Sequence, residues 1–250
     1  MLKSTRNTAF NLDILPSIVV EPNTKHIVNE QCLVLNPTPE TMNLNNHFNT
    51  SIAPFSSMII VNDEISPSTL ALVIYLPKSF TEFKFEQFKG WKEYKGYFSD
   101  IKKTTNLINA EETIFLRSPQ DTLGVYTFNP SALANEVSNS QHSKQFVIKA
   151  NLWAAKKATH CGLHNQHDFV EIHTQVLGFG RMQKFKDNNY SSLCEQIMMA
   201  PGYTTSESFC NFNSNNCQSN YPYHQFYADT DSMWLALEYY PICTEENTYE

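Results

Sequence analysis

HCGLHNQHDFVEIHTQVLGFG, residues 160–180, sets four histidines beside Asp168 and Glu171 and closes on Gly178-Phe-Gly180. If Asp168 to Leu177 is a strand, period-two alternation sends Glu171, His173 and Gln175 to one face and Ile172, Thr174 and Val176 to the other. His167 shares the polar face. Such a row is costly to desolvate inside a barrel unless its members are paired or bound to a metal, whereas facing water it costs nothing. Periodicity leaves both readings open: an interior site, or an ordinary solvated face.

Working outward, the flanking segments read as further strands. QFVIKANLWAAK, QIMMAP, HQFYA and SMWLALEYY follow one another through the C-terminal half, and SMIIV, TLALVIYL, FTEFKFEQF, TIFL and LGVYTF precede them. Short apolar or alternating runs bounded by Asp, Asn, Pro, Ser and Gly suit an antiparallel sandwich or barrel. Phe80, Phe83, Phe85 and Phe88 break strict alternation, so their strand is expected to carry a bulge. The chain divides into an arm with loops at 1–55, a β-rich N-terminal domain at 56–130, a polar linker at 131–144 with a short helix at 132–137, and a barrel at 145–245. No convincing internal repeat is visible, although two β-rich parts of similar size leave a duplicated barrel open.

Composition agrees with an all-β chain. Phe and Tyr are plentiful, at 17 and 12, and Gly is scarce, at 7, as half-buried strands favour. A formal charge of -7 with scattered Lys and Arg provides no basic stripe for phosphates, so nucleic acid is not an expected partner. No apolar run reaches the roughly 18 to 20 residues that span a bilayer as a helix, and residues 1–17 lack a signal peptide's apolar core. A cytoplasmic protein with no membrane partner and six reduced cysteines is therefore expected, Cys210 and Cys217 being the pair to bridge if oxidised.

The spacing His167-x3-Glu171-x6-Gly178 resembles the first cupin motif, HxH-x3-E-x6-G. The first His of that motif falls on Asn165, with His164 beside it, and the leading glycine is displaced to Gly162. For the second motif, PxG-x2-H-x3-N, Pro201 and Gly202 match the start but Thr205 stands where the His belongs. A better match for its tail is YPYHQFYADTDSMWLALE, in which His224 supplies the ligand and Ala228 replaces Asn. On that alignment 203–221 is an inserted polar loop, a candidate lid.

The resemblance implies a cupin-like antiparallel barrel or jelly roll in the C-terminal half, and it leaves three readings of the N-terminal half open: a degenerate second barrel, a partner-binding domain or a cap over the site. It implies a divalent metal on His167, Glu171 and His224, with His164 or Asn165 as a fourth ligand. Two imidazoles and a carboxylate leave adjacent positions open for substrate or dioxygen and suit Fe(II), the favoured ion, as well as Mn, Ni or Zn. His173, Gln175, Arg181 and Tyr223 are the candidate substrate contacts, and Tyr221, Phe226 and Trp234 would help line an aromatic pocket. The implied activity is that of a metal-dependent cupin acting on a small organic molecule, an Fe(II) dioxygenase ahead of an isomerase or epimerase. The alternatives are a non-catalytic cupin that binds a small molecule or a protein, and a structural β-sandwich with His167 and Glu171 on its outside. Cupins often pair through edge strands, which implies a homodimer.

Overall fold

The computed structural model describes residues 4–45, 48–79, 84, 87–98, 111–137, 142–205 and 210–243. Nine short strands come first: β1 (Thr5–Asn7), β2 (Ser17–Val20), β3 (His26–Val28), β4 (Cys32–Asn36), β5 (Met42–Asn43), β6 (Ser51–Ile52), β7 (Ser56–Ile60), β8 (Asp63–Ile65) and β9 (Ala71–Tyr75). One sheet has the order β1-β2-β9-β4-β7. Facing it are the pairs β3-β8 and β5-β6, joined by a Leu44–Ile65 bridge. From β2 onward this is a jelly roll, eight strands in two sheets whose order follows from two Greek keys.

The second half repeats that order. Its strands are β10 (Lys92–Phe98), β11 (Glu111–Arg117), β12 (Asp121–Phe128), β13 (Asn135–Glu136), β14 (Lys144–Ala155), β15 (Thr159–His160), β16 (Val170–Leu177), β17 (Gly180–Phe185), β18 (Leu193–Met199), β19 (Asn211–Asn213), β20 (Gln218–Asn220), β21 (Tyr223–Ala228) and β22 (Ser232–Pro241). Strands β14-β22-β16 form one wall, completed by residues 203–205, which bond to His173 and Gln175 of β16. Strands β15-β21-β17-β18 form the other, and the β10–β11 hairpin joins the two walls. The chain is all-β, with two barrels of the same strand order.

The two barrels share one apolar core. On β9, Ala71 and Val73 point into the N-terminal barrel while Leu72 and Ile74 point at the C-terminal one. On the partner wall Phe146, Ile148, Ile172, Val176, Leu235 and Leu237 belong to the same cluster as Leu33, Leu35, Leu72 and Ile74. A strand buried on both faces has no polar side to show, which is why TLALVIYL reads as a continuous apolar run. Polar links close the seam: the Tyr239 hydroxyl donates to the Pro37 carbonyl at 3.0 Å, and Ser57 Oγ lies 2.7 Å from Thr204 Oγ1.

These strands redraw the organisation expected from the sequence. Residues 4–45, assigned to an arm and loops, supply five strands of the first barrel, and β10 to β12, assigned to the first domain, pair within the second. Short strands broken by Asn, Thr and Pro hid the first barrel. In the 131–144 stretch the expected helix gives way to a single 3-10 turn at Pro130–Ala132 and to β13, which pairs with β19. Phe80, Phe83 and Phe85 of the expected bulge lie outside the described residues. The expected lid is in part built structure: Thr204 and Thr205 extend the β16 wall, and β19–β20 is a hairpin, while 206–209 lie outside the described residues. Cys217 is bonded to Cys243 rather than to Cys210, against the expectation of six thiols.

Two measurements check this arrangement. Leu235 is fully buried in the shared core, so Leu235→Ala should cost about 2–5 kcal/mol in urea unfolding; a loss below about 1 kcal/mol would contradict a core common to both barrels. Titration of the unfolded, unreduced chain should find four free thiols, and six would contradict the Cys217–Cys243 bond and favour a reducing compartment.

Candidate metal centre

His164 and His167 lie in the segment entering β16, Glu171 and His173 on β16 itself, and His224 on β21 of the opposite wall. A reciprocal pair of backbone bonds, His164 N–H to His224 O at 3.2 Å and His224 N–H to His164 O at 2.9 Å, continues the β15–β21 pairing past His160 and fixes the segment there. It also brings the two imidazoles to a ring separation of 4.3 Å. Each ring has Nδ1 at 2.9 Å from a backbone carbonyl, that of Gly162 for His164 and that of Pro222 for His224. A neutral ring that donates from Nδ1 keeps its Nε2 lone pair, the arrangement that orients metal-ligating histidines.

The Nε2 atoms of His167 and His224 are 3.1 Å apart, and Glu171 Oε1 is 3.5 Å from the first and 3.7 Å from the second. One ligand atom from each of His164, His167 and His224 lies within 4.8 Å of the other two. Ligand atoms held about 2.1 Å from a common ion sit roughly 3.0–3.4 Å from one another. His167, Glu171 and His224 therefore fit a divalent ion with little movement, and His164 stands near enough to the two imidazoles to be a fourth candidate. Neither polar row nor cluster faces water: Glu171, His173 and His224 are all buried, so the solvated-face and outside-of-a-sandwich readings do not describe this chain.

Electrostatics follow from that burial. Desolvation lowers the His167 pKa to about 4, with Glu171 opposing and the neighbouring imidazoles reinforcing the shift. Burial pushes Glu171 upward, but the electrostatic attraction of His173, His224 and His167 outweighs it and holds the carboxyl below its usual range. Burial also lowers His164, yet its contacts with Cys161, Gly162 and Glu171 carry it up to about 9. A proton held at this cluster is one that a metal would displace. Tyr221 braces the carboxylate: its hydroxyl accepts from Glu171 N–H at 2.8 Å and donates to the Phe169 carbonyl at 3.1 Å.

The cluster opens on a cavity of about 350 Å3 inside the C-terminal barrel. Aromatic rings of Tyr94, Phe115, Trp153, Phe226 and Trp234 line it, and Arg117 and Glu238 face it from β11 and β22. Glu238 accepts hydrogen bonds from Arg117, Asn151, Gln120 and Tyr240 at 2.6–3.2 Å, so its buried charge is fully partnered.

Among the expected substrate contacts, His173 lines the cavity with Nε2 at 3.4 Å from Glu171 Oε2. Gln175 is buried on the same face but donates to the Leu177 carbonyl and is not part of the lining. Arg181 is corrected: it forms a bidentate pair with Asp229 at 2.6 and 2.8 Å and is not part of the cavity lining. Tyr223 pairs in register with Phe185 and, like Tyr221, stays outside the lining, because it lies one position out of phase with His224 and Phe226. Arg117, Tyr94, Phe115 and Trp153 were not anticipated. Trp153 was legible, since it shares the parity of Asn151 on β14, but Arg117 and Tyr94 became legible only once β10 and β11 were seen to pair with this barrel.

No family model matches the sequence, and no curated protein sequence matches it. Solved structures do resemble it. An oxalate decarboxylase from Lactobacillus farciminis in a formate complex is 13% identical, with 96% of this chain and 82% of that one covered and a TM-score of 0.28. AerE from Microcystis aeruginosa is 9% identical over 97% and 90%, with a TM-score of 0.27, and an 11S allergen from Cocos nucifera is 8% identical over 90% and 80%, with a TM-score of 0.28. These are cupin-fold proteins. The fold is cupin-like. Its own strand order, found twice, is what supports that statement, and at such low TM-scores the chemistry has to be read from this chain's residues.

Tyr221→Phe should cost about 1–3 kcal/mol, because it leaves the buried Glu171 N–H without its acceptor. Urea unfolding checks it, and an unchanged midpoint would show that the Glu171 backbone is held by something else.

Proposed function

We propose that the C-terminal barrel is a metal-dependent enzyme site for a small organic molecule, with His164, His167, Glu171 and His224 as ligands. The observation that carries this reading is the convergence of His224, tied at Nδ1 to the Pro222 carbonyl, with His167 and Glu171, whose ligand atoms stand 3.1–3.7 Å apart, and with His164 beside the two imidazoles. When bound, a divalent ion supplies Lewis acidity and open positions for substrate or dioxygen. His173 holds the outer oxygen of Glu171 and keeps the carboxylate turned toward the other two histidines. The aromatic lining excludes water around a bound molecule.

Within this reading we favour Fe(II) and an oxygenase-type reaction, since imidazole and carboxylate ligands with vacant positions suit both. The same donors accept Mn, Ni or Zn, and with those ions an isomerase or epimerase reaction is the alternative. The N-terminal barrel is structural, its interior filled by residues such as Val20, Val34, Met42, Ile52, Ile65 and Val73. A homodimer remains the expectation that the family resemblance supplies, whereas the cytoplasmic location expected from residues 1–17 stands against the Cys217–Cys243 bond, since disulfides are rare in a reducing compartment.

Metal analysis of protein purified without chelator or affinity nickel tests the proposal. Wild type should carry close to one equivalent of a first-row divalent ion, and His167→Ala and His224→Ala should each lose most of it while keeping the native fold by circular dichroism. Iron should be the best ion for oxygen consumption. A wild type that stays metal-free and does not bind added Fe(II), Mn(II) or Zn(II) would contradict the enzyme reading and leave a non-catalytic binding barrel.

A further inference from the structure

The cavity's own walls narrow the substrate class, an inference that rests on reading this cavity as the binding site. Arg117, Trp153, Trp234 and Gln175 occupy one cross-strand row over β11, β14, β22 and β16. The Trp153 and Trp234 rings are within 10° of parallel at 6.3 Å. Phe226 stacks on Trp234 at 3.7 Å and Phe115 on Trp153 at 5.0 Å, while Tyr94 meets Trp153 edge-on at 5.1 Å. Four of the five rings therefore share nearly one orientation, and they stand in the same cavity as the metal cluster. A wall of this kind favours a flat ring, since offset aromatic contacts add about 0.5–1.5 kcal/mol beyond area burial.

Charge is placed at one end of that wall. The Arg117 guanidinium lies 5.4 Å from the Trp153 ring and is held by Nε to Asn151 at 3.2 Å and Nη2 to Glu238 at 3.2 Å. Glu238 also receives three neutral donors, so the arginine is positioned without being its carboxylate's main partner in number. Lys92 adds a second cation, 4.7 Å from the Tyr94 ring. Tyr94 registers this field: burial pushes its phenol up, yet the hydrogen bonds and charges of Arg117 and Lys92 bring it below its ordinary value. Trp153, Tyr94 and Arg117 are half-buried, whereas Phe115, Phe226 and Trp234 are fully packed, so the first three are the groups open to an incoming molecule. At about 350 Å3 the space lies at the small end of the range for small-molecule sites.

We propose that this cavity selects a planar aromatic acid, with its ring against Trp153 beside Tyr94 and its acid group on Arg117. A flexible aliphatic acid would satisfy only the arginine, and a neutral aromatic only the rings.

Calorimetry with the full chain, using cinnamate, cinnamamide and hexanoate as probes, tests the assignment, and quenching of tryptophan fluorescence reports the same site because two of the three tryptophans line it. Cinnamate should bind about tenfold or more tightly than either other probe, a difference of about 1.4 kcal/mol. Arg117→Gln should remove the advantage over cinnamamide and leave cinnamamide binding unchanged, whereas Trp153→Leu should weaken both aromatic probes. Arg117→Lys keeps the charge and controls for folding, and it should retain part of the preference. Hexanoate binding as tightly as cinnamate, no response to Arg117→Gln, or no binding of any probe would overturn the proposal. Metal content measured on the same samples separates the two readings: selective cinnamate binding by metal-free protein would keep this assignment and remove the metal site, and metal-loaded protein without selectivity would do the reverse.

Discussion

Strand β16 is buried on both faces, and most of the structure is arranged to make that possible. Its odd-numbered residues Glu171, His173 and Gln175 face the barrel interior, and Ile172, Thr174 and Val176 face the N-terminal barrel. Without the shared core the second face would be exposed apolar surface, and the strand would lose the packing that sets its register. With it, a carboxylate and an imidazole can be held in low-dielectric surroundings at fixed positions. Burial of this kind is tolerable because every charge there has partners: Glu171 has three histidines, and Glu238, directly opposite it on β22, has Arg117 and three neutral donors.

The two barrels have the same strand order and opposite interiors. In the first, the inward positions of β2, β4 and β9 are Val20, Cys32, Val34, Ala71 and Val73, which close on one another as an ordinary apolar core. In the second, the corresponding wall presents Trp153, Trp234, Glu238, Glu171 and His173, side chains too large and too polar to collapse together. Large rings that brace one another and charges that demand partners keep a space open. The filled barrel supplies one flank of the core, and the hollow one holds the histidine cluster and the cavity.

Much of the second barrel was legible in the sequence because its signals are local. The alternation from Val170 to Leu177 gives the facing of Glu171 and His173 directly, and the glycine after the strand has a local reason too: Gly178 sits at φ +69°, and a Cβ there would come within 2.0 Å of the Asp231 carbonyl oxygen. His224 was reachable through its spacing to the following Asp-rich turn. What was not legible depends on pairing between distant segments. Arg181 looked available only because its partner Asp229 lies 48 residues away, and Arg117 looked irrelevant because its strand was assigned to another domain. The N-terminal barrel was hidden by strands of two to five residues, too short for alternation to register. The Cys217–Cys243 bond joins segments that composition alone had no means to relate.

The account's central claim is that four side chains from two walls of one barrel converge on a single divalent ion. Anomalous diffraction from crystals grown with Mn(II) or Zn(II), collected on both sides of the metal's absorption edge, measures this directly. One strong peak is predicted, about 2.0–2.3 Å from Nε2 of His164, His167 and His224 and from a carboxylate oxygen of Glu171. A peak placed on other residues, or none at the cluster in crystals that show the same barrel, would contradict it.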